Sequence, residues 1–124
     1  MIKIALATAL VAAPLALAAP AQATCAQYSF GGFVIMNQDN GYRVEFPANG
    51  THVQDAPAAV FNNRQAVVDH GVVTGDIFNR EVNFRIIWDK GTVGDYFGSV
   101  DGRGKARGTS GPATWNFKNR LPCA

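Results

Sequence analysis

The sequence predicts an all-β protein: a small antiparallel meander of about seven strands that closes into a β-barrel or a β-sandwich. Three observations predict this class. Short runs of alternating apolar and polar residues recur along the chain, as half-buried strands require. All 13 glycines follow residue 30 and separate these runs. One cysteine stands near each end of the region after the apolar N-terminus, so the two termini can be joined by a disulfide.

The N-terminus predicts a signal peptide over residues 1–23. Lys3 provides a positive charge, and the uncharged stretch after it is rich in alanine, leucine and valine. Prolines interrupt this stretch, whereas a membrane-spanning helix needs about 20 mainly apolar residues. The small residues in Ala21-Gln22-Ala23 predict cleavage before Thr24. We therefore expect residues 24–124 to form a single secreted β domain, extracellular or associated with the cell envelope, with no transmembrane segment.

The two cysteines predict one disulfide. Cys25 lies at the start of the expected mature chain and Cys123 at its end. An exported chain meets an oxidising compartment, and two cysteines allow only one pairing, with two free thiols as the alternative. Closing a loop of about 100 residues is nominally worth about 4 to 5 kcal/mol of stability.

The first hairpin is predicted around a turn at Asn40 and Gly41. Residues 42–46 alternate between apolar and charged side chains, which indicates a half-buried strand. Asn-Gly favours a tight turn, so residues 27–36 are the expected partner strand. Pro47 ends the pairing because it lacks a backbone N–H.

The clearest strand pattern lies in the second half of the chain. Apolar residues at 82, 84, 86 and 88 alternate with polar ones, and they are branched or aromatic. Turn residues separate this strand from its neighbours. We predict a five-stranded meander with strands at 71–78, 81–88, 95–100, 103–109 and 113–118 and turns at 79–80, 89–91 and 101–102.

Residues 55–70 predict one short helix or an irregular loop. Asp55 suits a helix N-cap, Pro57 suits the first turn, and Gly71 suits the stop. Against a helix, Arg64 falls in the middle of the apolar face.

The second half also carries a pattern of glycines and aromatic residues. Its central part is Trp88-Asp89-x-Gly91-x-x-Gly94-x-Tyr96-x-Gly98-x-Val100-x-Gly102. Before it stand Gly71-x-x-x-Gly75 and Val82-x-Phe84-x-Ile86, and after it stand Trp115 and Cys123. This pattern resembles small secreted β proteins of mycobacteria and related actinobacteria. That group is functionally uncharacterised, so the resemblance implies a compartment and a fold type but no catalytic residue.

No catalytic or metal motif stands out. The sequence has no Gly-x-Ser-x-Gly elbow, and its two histidines, His52 and His70, lack the spacing of a zinc site. Asp89, Asp95 and Asp101 are spaced by six residues, which suits a pair of catalytic carboxylates, but aspartate in a turn also stabilises the local backbone. We therefore predict no catalytic residue, no metal and no cofactor, with a small carboxylate-dependent hydrolase as the less favoured alternative.

Arg103, Lys105 and Arg107 alternate with small residues and predict a basic stripe on one strand. Such a stripe either discourages aggregation between sheet edges or binds an anionic surface. Eleven basic residues less Lys3, set against nine acidic residues, leave a net charge of +1. This small excess does not point to nucleic acid as a partner.

The small residues at 104, 106 and 108 leave interior volume, which either neighbouring aromatic rings or a ligand fills. We therefore predict an exported, non-enzymatic barrel that binds a small apolar ligand or a partner surface. The alternative is an extracellular interaction protein that uses the basic stripe. The candidate ligand-binding residues are Phe84, Trp88, Tyr96 and Trp115.

Overall fold

The computed structural model describes residues 25–124 and shows a closed barrel of eight antiparallel strands. Each strand pairs with its neighbours in the chain, and the first pairs with the last. The predicted class is confirmed, with eight strands rather than about seven. The predicted signal peptide, residues 1–23, lies outside the described residues. The strands are β1 (Gly32–Gln38), β2 (Arg43–Ala48), β3 (His52–Phe61), β4 (Val67–Phe78), β5 (Glu81–Trp88), β6 (Val93–Val100), β7 (Ala106–Ser110) and β8 (Ala113–Phe117).

The helix or loop predicted over residues 55–70 is wrong, because this segment belongs to β3, β4 and the turn between them. A register shift between Val53 and Ala56 hides the strand from its sequence pattern. Asp55 lies in this irregularity with a positive φ of 52°. Beyond it, Ala56 and Ala58 face the interior while Pro57 faces outward. Alanine gives little hydrophobic contrast, so the alternation of β3 is weak in sequence.

Asn62 holds the β3–β4 turn, which also contains Arg64. The Asn62 side-chain oxygen accepts the backbone N–H groups of Arg64 and Ala66, at 2.8 and 3.1 Å. A backbone bond of 2.9 Å from the Asn62 N–H to the Ala66 carbonyl closes the same turn. Asn62 therefore stabilises a loop conformation in place of a helix, as asparagine commonly does in turns.

The prediction that Pro47 ends its strand is wrong, because β2 continues to Ala48 and Pro47 pairs with Phe33 of β1. β2 pairs with β3 only at residues 43–45, so the proline interrupts no pairing with that strand.

Other strand boundaries also differ from the prediction, and β6 begins at Val93 rather than at residue 95. The first strand, predicted over residues 27–36, begins at Gly32, because the preceding residues cross the end of the barrel. The strand predicted over 103–109 begins at Ala106. There the Asp101 carboxylate accepts the backbone N–H groups of Arg103 and Lys105, at 2.8 and 3.0 Å, and extends the turn. These hydrogen bonds hold the pKa of Asp101 below its usual range.

The disulfide between Cys25 and Cys123 is confirmed, with the two Cα atoms 5.4 Å apart. The segments at 25–31 and 118–124 cross one end of the barrel, where Tyr28 forms an isolated β-bridge with Cys123. Tyr28, Phe30 and Leu121 are buried there against the strands. We call this the closed end; it contains these two segments and the β2–β3, β4–β5 and β6–β7 turns.

Aromatic rings fill the barrel interior around Phe84. The Tyr96 ring stacks on it with centroids 4.7 Å apart, and the rings of Phe46, Trp115 and Phe117 lie at 5.6, 5.7 and 6.1 Å. Such contacts combine a large buried apolar area with favourable ring geometry. The central interior is therefore a packed core.

Glycines make room for this core. A Cβ atom at Gly98 would lie 2.7 Å from the Trp115 ring, and one at Gly108 would lie 1.9 Å from the carbonyl oxygen of Phe97. Any larger residue at Gly108 would push β6 and β7 apart. Trp115 and the neighbouring strand thus fill the volume that small residues leave in this part of the barrel, so this volume is not open space.

Candidate functional site

The end of the barrel opposite the disulfide, which we call the open mouth, is surrounded by the β1–β2, β3–β4, β5–β6 and β7–β8 turns. Neither terminus crosses it within residues 25–124, and a cleft of about 540 Å³ opens there. Its lining contains both apolar side chains and polar groups. The lining residues are Gln38, Asn40, Tyr42, Val44, Val60, Val68, Asp69, Trp88, Lys90, Thr92, Tyr96, Ser110, Pro112 and Ala113.

The floor of the cleft contains two aromatic residues that glycines position. Trp88 ends β5 and pairs with Gly71 of β4, where an added Cβ atom would lie 2.7 Å from the indole. Tyr96 lies over Gly94 in the same way, and a Cβ atom added at Gly94 would lie 2.7 Å from the Tyr96 ring. Because glycine has no side chain, each ring can lie close to the inner wall. Val44 is buried beside them.

The floor also has a polar group. Burial raises the pKa of the Tyr96 hydroxyl, and a polar contact with the Trp88 indole works against that rise. The hydroxyl is therefore neutral at ordinary pH and can donate or accept one hydrogen bond. A mainly apolar floor with a phenol at one point is typical of small-molecule sites, in which a few polar groups orient the ligand.

One side of the rim is held by Asp69. Its carboxylate accepts the backbone N–H of His70 at 2.8 Å and that of Lys90 at 3.2 Å. The second bond connects β4 to the β5–β6 turn, and the backbone N–H of Asp89 donates to the His70 carbonyl at 2.8 Å beside it. These bonds fix the turn that borders the cleft, so this part of the mouth is preorganised.

The structure separates the four predicted ligand-binding residues into two pairs. Trp88 and Tyr96 line the cleft. Phe84 stacks beneath Tyr96 in the packed core, and Trp115 is buried with its indole N–H donating to the Thr109 carbonyl at 3.0 Å. The first pair can contact a ligand directly, whereas the second supports the floor.

The other lining residues were not predicted from the sequence. The sequence does indicate that Val44 faces the interior, since it lies on the apolar face of the alternating strand at residues 42–46. For Val60 the sequence gives no such indication, because this residue lies in the segment interpreted as a helix or loop. Tyr42, Thr92 and Ala113 flank turns, and only the closure of the barrel brings them to one mouth.

The predicted basic stripe does not form on one strand. Arg107 lies on β7, but Arg103 and Lys105 belong to the turn before it. The strand pattern fails because the Asp101 carboxylate holds that turn. Lys105 is partly buried, and its ammonium donates to the carbonyl oxygens of Phe117 and Lys118 at 2.8 and 3.5 Å. It therefore helps to attach the C-terminal segment, while both arginines are exposed.

Two other concave surfaces formed by residues 25–124 are comparable to the mouth in volume. One, of about 900 Å³, lies at the closed end beside Cys25 and is formed mainly by turn residues such as Asn79 and Asp101. The other, of about 470 Å³, runs along β7 and β8 past Arg107 and Trp115. A third, smaller cleft of about 70 Å³ has aromatic residues in its lining, Phe30, Phe33 and Phe117, but its volume is far below that of an ordinary ligand pocket. Of the three larger surfaces formed by residues 25–124, the mouth combines its volume with the aromatic pair Trp88 and Tyr96.

Two of the three carboxylates considered for catalysis, Asp95 and Asp101, have other partners. Asp95 accepts two hydrogen bonds from Arg85, at 2.7 and 3.2 Å, and this contact lowers its pKa. Asp101 accepts backbone N–H groups in its turn. Both are therefore fully ionised at neutral pH and give no support to a proton-donating role. Within residues 25–124, no group of three potential ligands is placed to hold a metal ion.

The fold and the cleft together define a class: a closed, disulfide-linked, eight-stranded antiparallel barrel with a packed centre and one open mouth. Comparison of the chain with protein-family models, curated proteins and solved structures finds no match. The resemblance to secreted actinobacterial proteins therefore stays a prediction. The described residues also contain no helix long and apolar enough to cross a bilayer.

Proposed function

We propose that this is an exported binding protein that holds a small, largely apolar molecule in the open mouth of its barrel. The observation that carries the proposal is the cleft of about 540 Å³ with Trp88 and Tyr96 at its floor. Ligand pockets commonly have volumes of about 300 to 1,000 Å³ and mainly apolar walls. Export is supported by the Cys25–Cys123 disulfide, since such bonds persist in oxidising compartments.

The packed core limits how deeply the ligand can enter. Tyr96 and Phe84 stack with centroids 4.7 Å apart, so the space beneath the floor is occupied. The ligand therefore lies across the mouth rather than inside the barrel, with one face exposed to water. A flat apolar or aromatic molecule with one hydrogen-bonding group suits a floor made of an indole and a phenol.

A substitution at the rim tests this function. Thr92 is exposed and lines the cleft, so Thr92→Trp places a bulky side chain over the mouth. We expect it to weaken binding of N-phenylnaphthylamine, a neutral apolar probe, at least about tenfold, because the indole occupies the contact area that binding needs. The measurement is a fluorescence titration of residues 24–124, which contain the whole barrel and its disulfide.

The matched control is Thr109→Trp. Thr109 is also an exposed threonine, but it lines the groove along β7 and β8. We expect this variant to bind the probe as the unsubstituted protein does. Equal weakening by both variants, weakening by Thr109→Trp alone, or no probe binding by the unsubstituted protein would contradict the proposal.

A further inference from the structure

Positive charge is concentrated at the closed end of the barrel. Its turns, its tails and the strand residues near them carry six cationic side chains and three carboxylates, Asp76, Glu81 and Asp101. We call the six cationic residues the cationic end: Arg80, Arg103, Lys105, Arg107, Lys118 and Arg120.

Contacts between the β6–β7 turn and the C-terminal segment bring most of these residues together. The Leu121 N–H donates to the Gly104 carbonyl at 2.8 Å. A Cβ atom at Gly104 would lie 3.5 Å from the Cβ of Arg120, so Arg103 and Arg120 belong to adjacent chain segments. Lys105 donates to the carbonyl of Lys118 at 3.5 Å. The cluster is thus a product of the fold.

The remaining cations within residues 25–124 are balanced. Arg43 and Arg85 are paired with Glu45 and Asp95, each at 2.7 Å. The turns and strand ends at the mouth carry Arg64 and Lys90 among three carboxylates. Those carboxylates are Asp39, Asp69 and Asp89. The barrel is therefore electrically polar, with its positive pole at the closed end.

Two exposed phenylalanines lie at the same end. Phe78, which is 69% exposed, ends β4 two residues before Arg80. Phe33, which is 49% exposed, lies near the start of β1 and shares a small surface cleft with Arg120. Phe78 and Arg80 also line one cleft, so each phenylalanine shares a surface with an arginine of the cationic end.

We propose that the closed end docks on a lipid bilayer that contains anionic headgroups. The cations match the negative surface, and Phe33 and Phe78 enter the boundary between headgroups and acyl chains, where aromatic rings are favoured. A soluble polyanion would account for the cations but would leave both rings in water. In the docked state the open mouth faces away from the bilayer. This proposal does not depend on what the mouth binds.

Vesicle binding tests the proposal. Residues 24–124 are expected to sediment with phosphatidylglycerol-containing vesicles but not with pure phosphatidylcholine vesicles. The double variant Arg103→Gln, Arg120→Gln is expected to lower the partition coefficient about thirtyfold at low salt, because each cation near an anionic surface contributes about fivefold. Its matched control, Arg64→Gln with Lys90→Gln, removes the same charge at the mouth and is expected to bind nearly as the unsubstituted protein does.

Phe78→Ala separates a bilayer from a soluble polyanion. It is expected to weaken vesicle binding several-fold and to leave binding to soluble polyphosphate unchanged, since only the bilayer accepts the ring. The proposal is overturned if vesicles are not bound, if the two double variants lose binding equally, or if Phe78→Ala leaves vesicle binding unchanged. Near-ultraviolet circular dichroism checks that every variant is folded.

Discussion

Replacing both Cys25 and Cys123 with serine is expected to lower the free energy of unfolding by about 4 to 5 kcal/mol. The bond closes a loop with a sequence separation of 98 residues, so it restricts nearly the whole unfolded chain. It also holds the termini that cover the closed end, where the Ala124 N–H donates to the Gln27 carbonyl at 2.9 Å. Small domains are stable by only about 5 to 15 kcal/mol, so this loss is a large share of the total. Denaturant-induced unfolding measures it.

The control for the disulfide variant is Ala26→Ser with Ala124→Ser. Both alanines are exposed and each adjoins one of the cysteines. Serine at these positions leaves the bond intact, so stability should change by less than about 0.5 kcal/mol. A disulfide variant that unfolds at the same denaturant concentration as this control would show that barrel closure alone holds the termini.

Phe84→Ala is expected to lower the free energy of unfolding by about 3 to 5 kcal/mol. Phe84 lies at the centre of the aromatic core, and the rings of Tyr96 and Trp115 contact it with centroids at 4.7 and 5.7 Å. Its truncation leaves a cavity, and the closed sheet cannot easily move inward to fill it. Thermal or denaturant unfolding measures the loss.

Phe97→Ala is the control for the core variant. Phe97 belongs to the adjacent strand but is 57% exposed on the outer wall. Its truncation should cost less than about 1 kcal/mol, because it removes little buried area. Similar losses for the two variants would contradict the assignment of Phe84 to a packed core.

The sequence predicted the second half of the barrel well because residues there alternate strongly. Bulky inward residues such as Val82 and Ile86 stand against polar outward ones, and turn residues separate the strands. The segment at 55–70 failed because its inward residues include Ala56 and Ala58, and the irregularity at Asp55 breaks the period of two. An alternation with a period of two residues is lost at a bulge, because the extra residue shifts the side chains that follow to the other face.

The candidate site was predicted only in part, for a geometric reason. Alternation places Phe84, Trp88 and Tyr96 on the inner face, but it does not give their depth along the barrel axis. Depth follows from the stagger of the strands, which sets Trp88 at the mouth and Trp115 in the core. The basic stripe failed because the Asp101 carboxylate stabilises a turn where alternation indicated a strand.

A proton–nitrogen correlation spectrum tests the central claim, ligand binding at the mouth, most directly. The protein has two tryptophans, so it gives two indole cross-peaks, which Trp115→Phe assigns. On adding N-phenylnaphthylamine we expect the Trp88 peak to shift, because its ring lines the cleft. The Trp115 peak should stay, because its indole N–H donates to the Thr109 carbonyl within the wall. A shift of Trp115 with Trp88 unchanged, or no shift of either peak, would contradict the assignment of the binding site to the mouth.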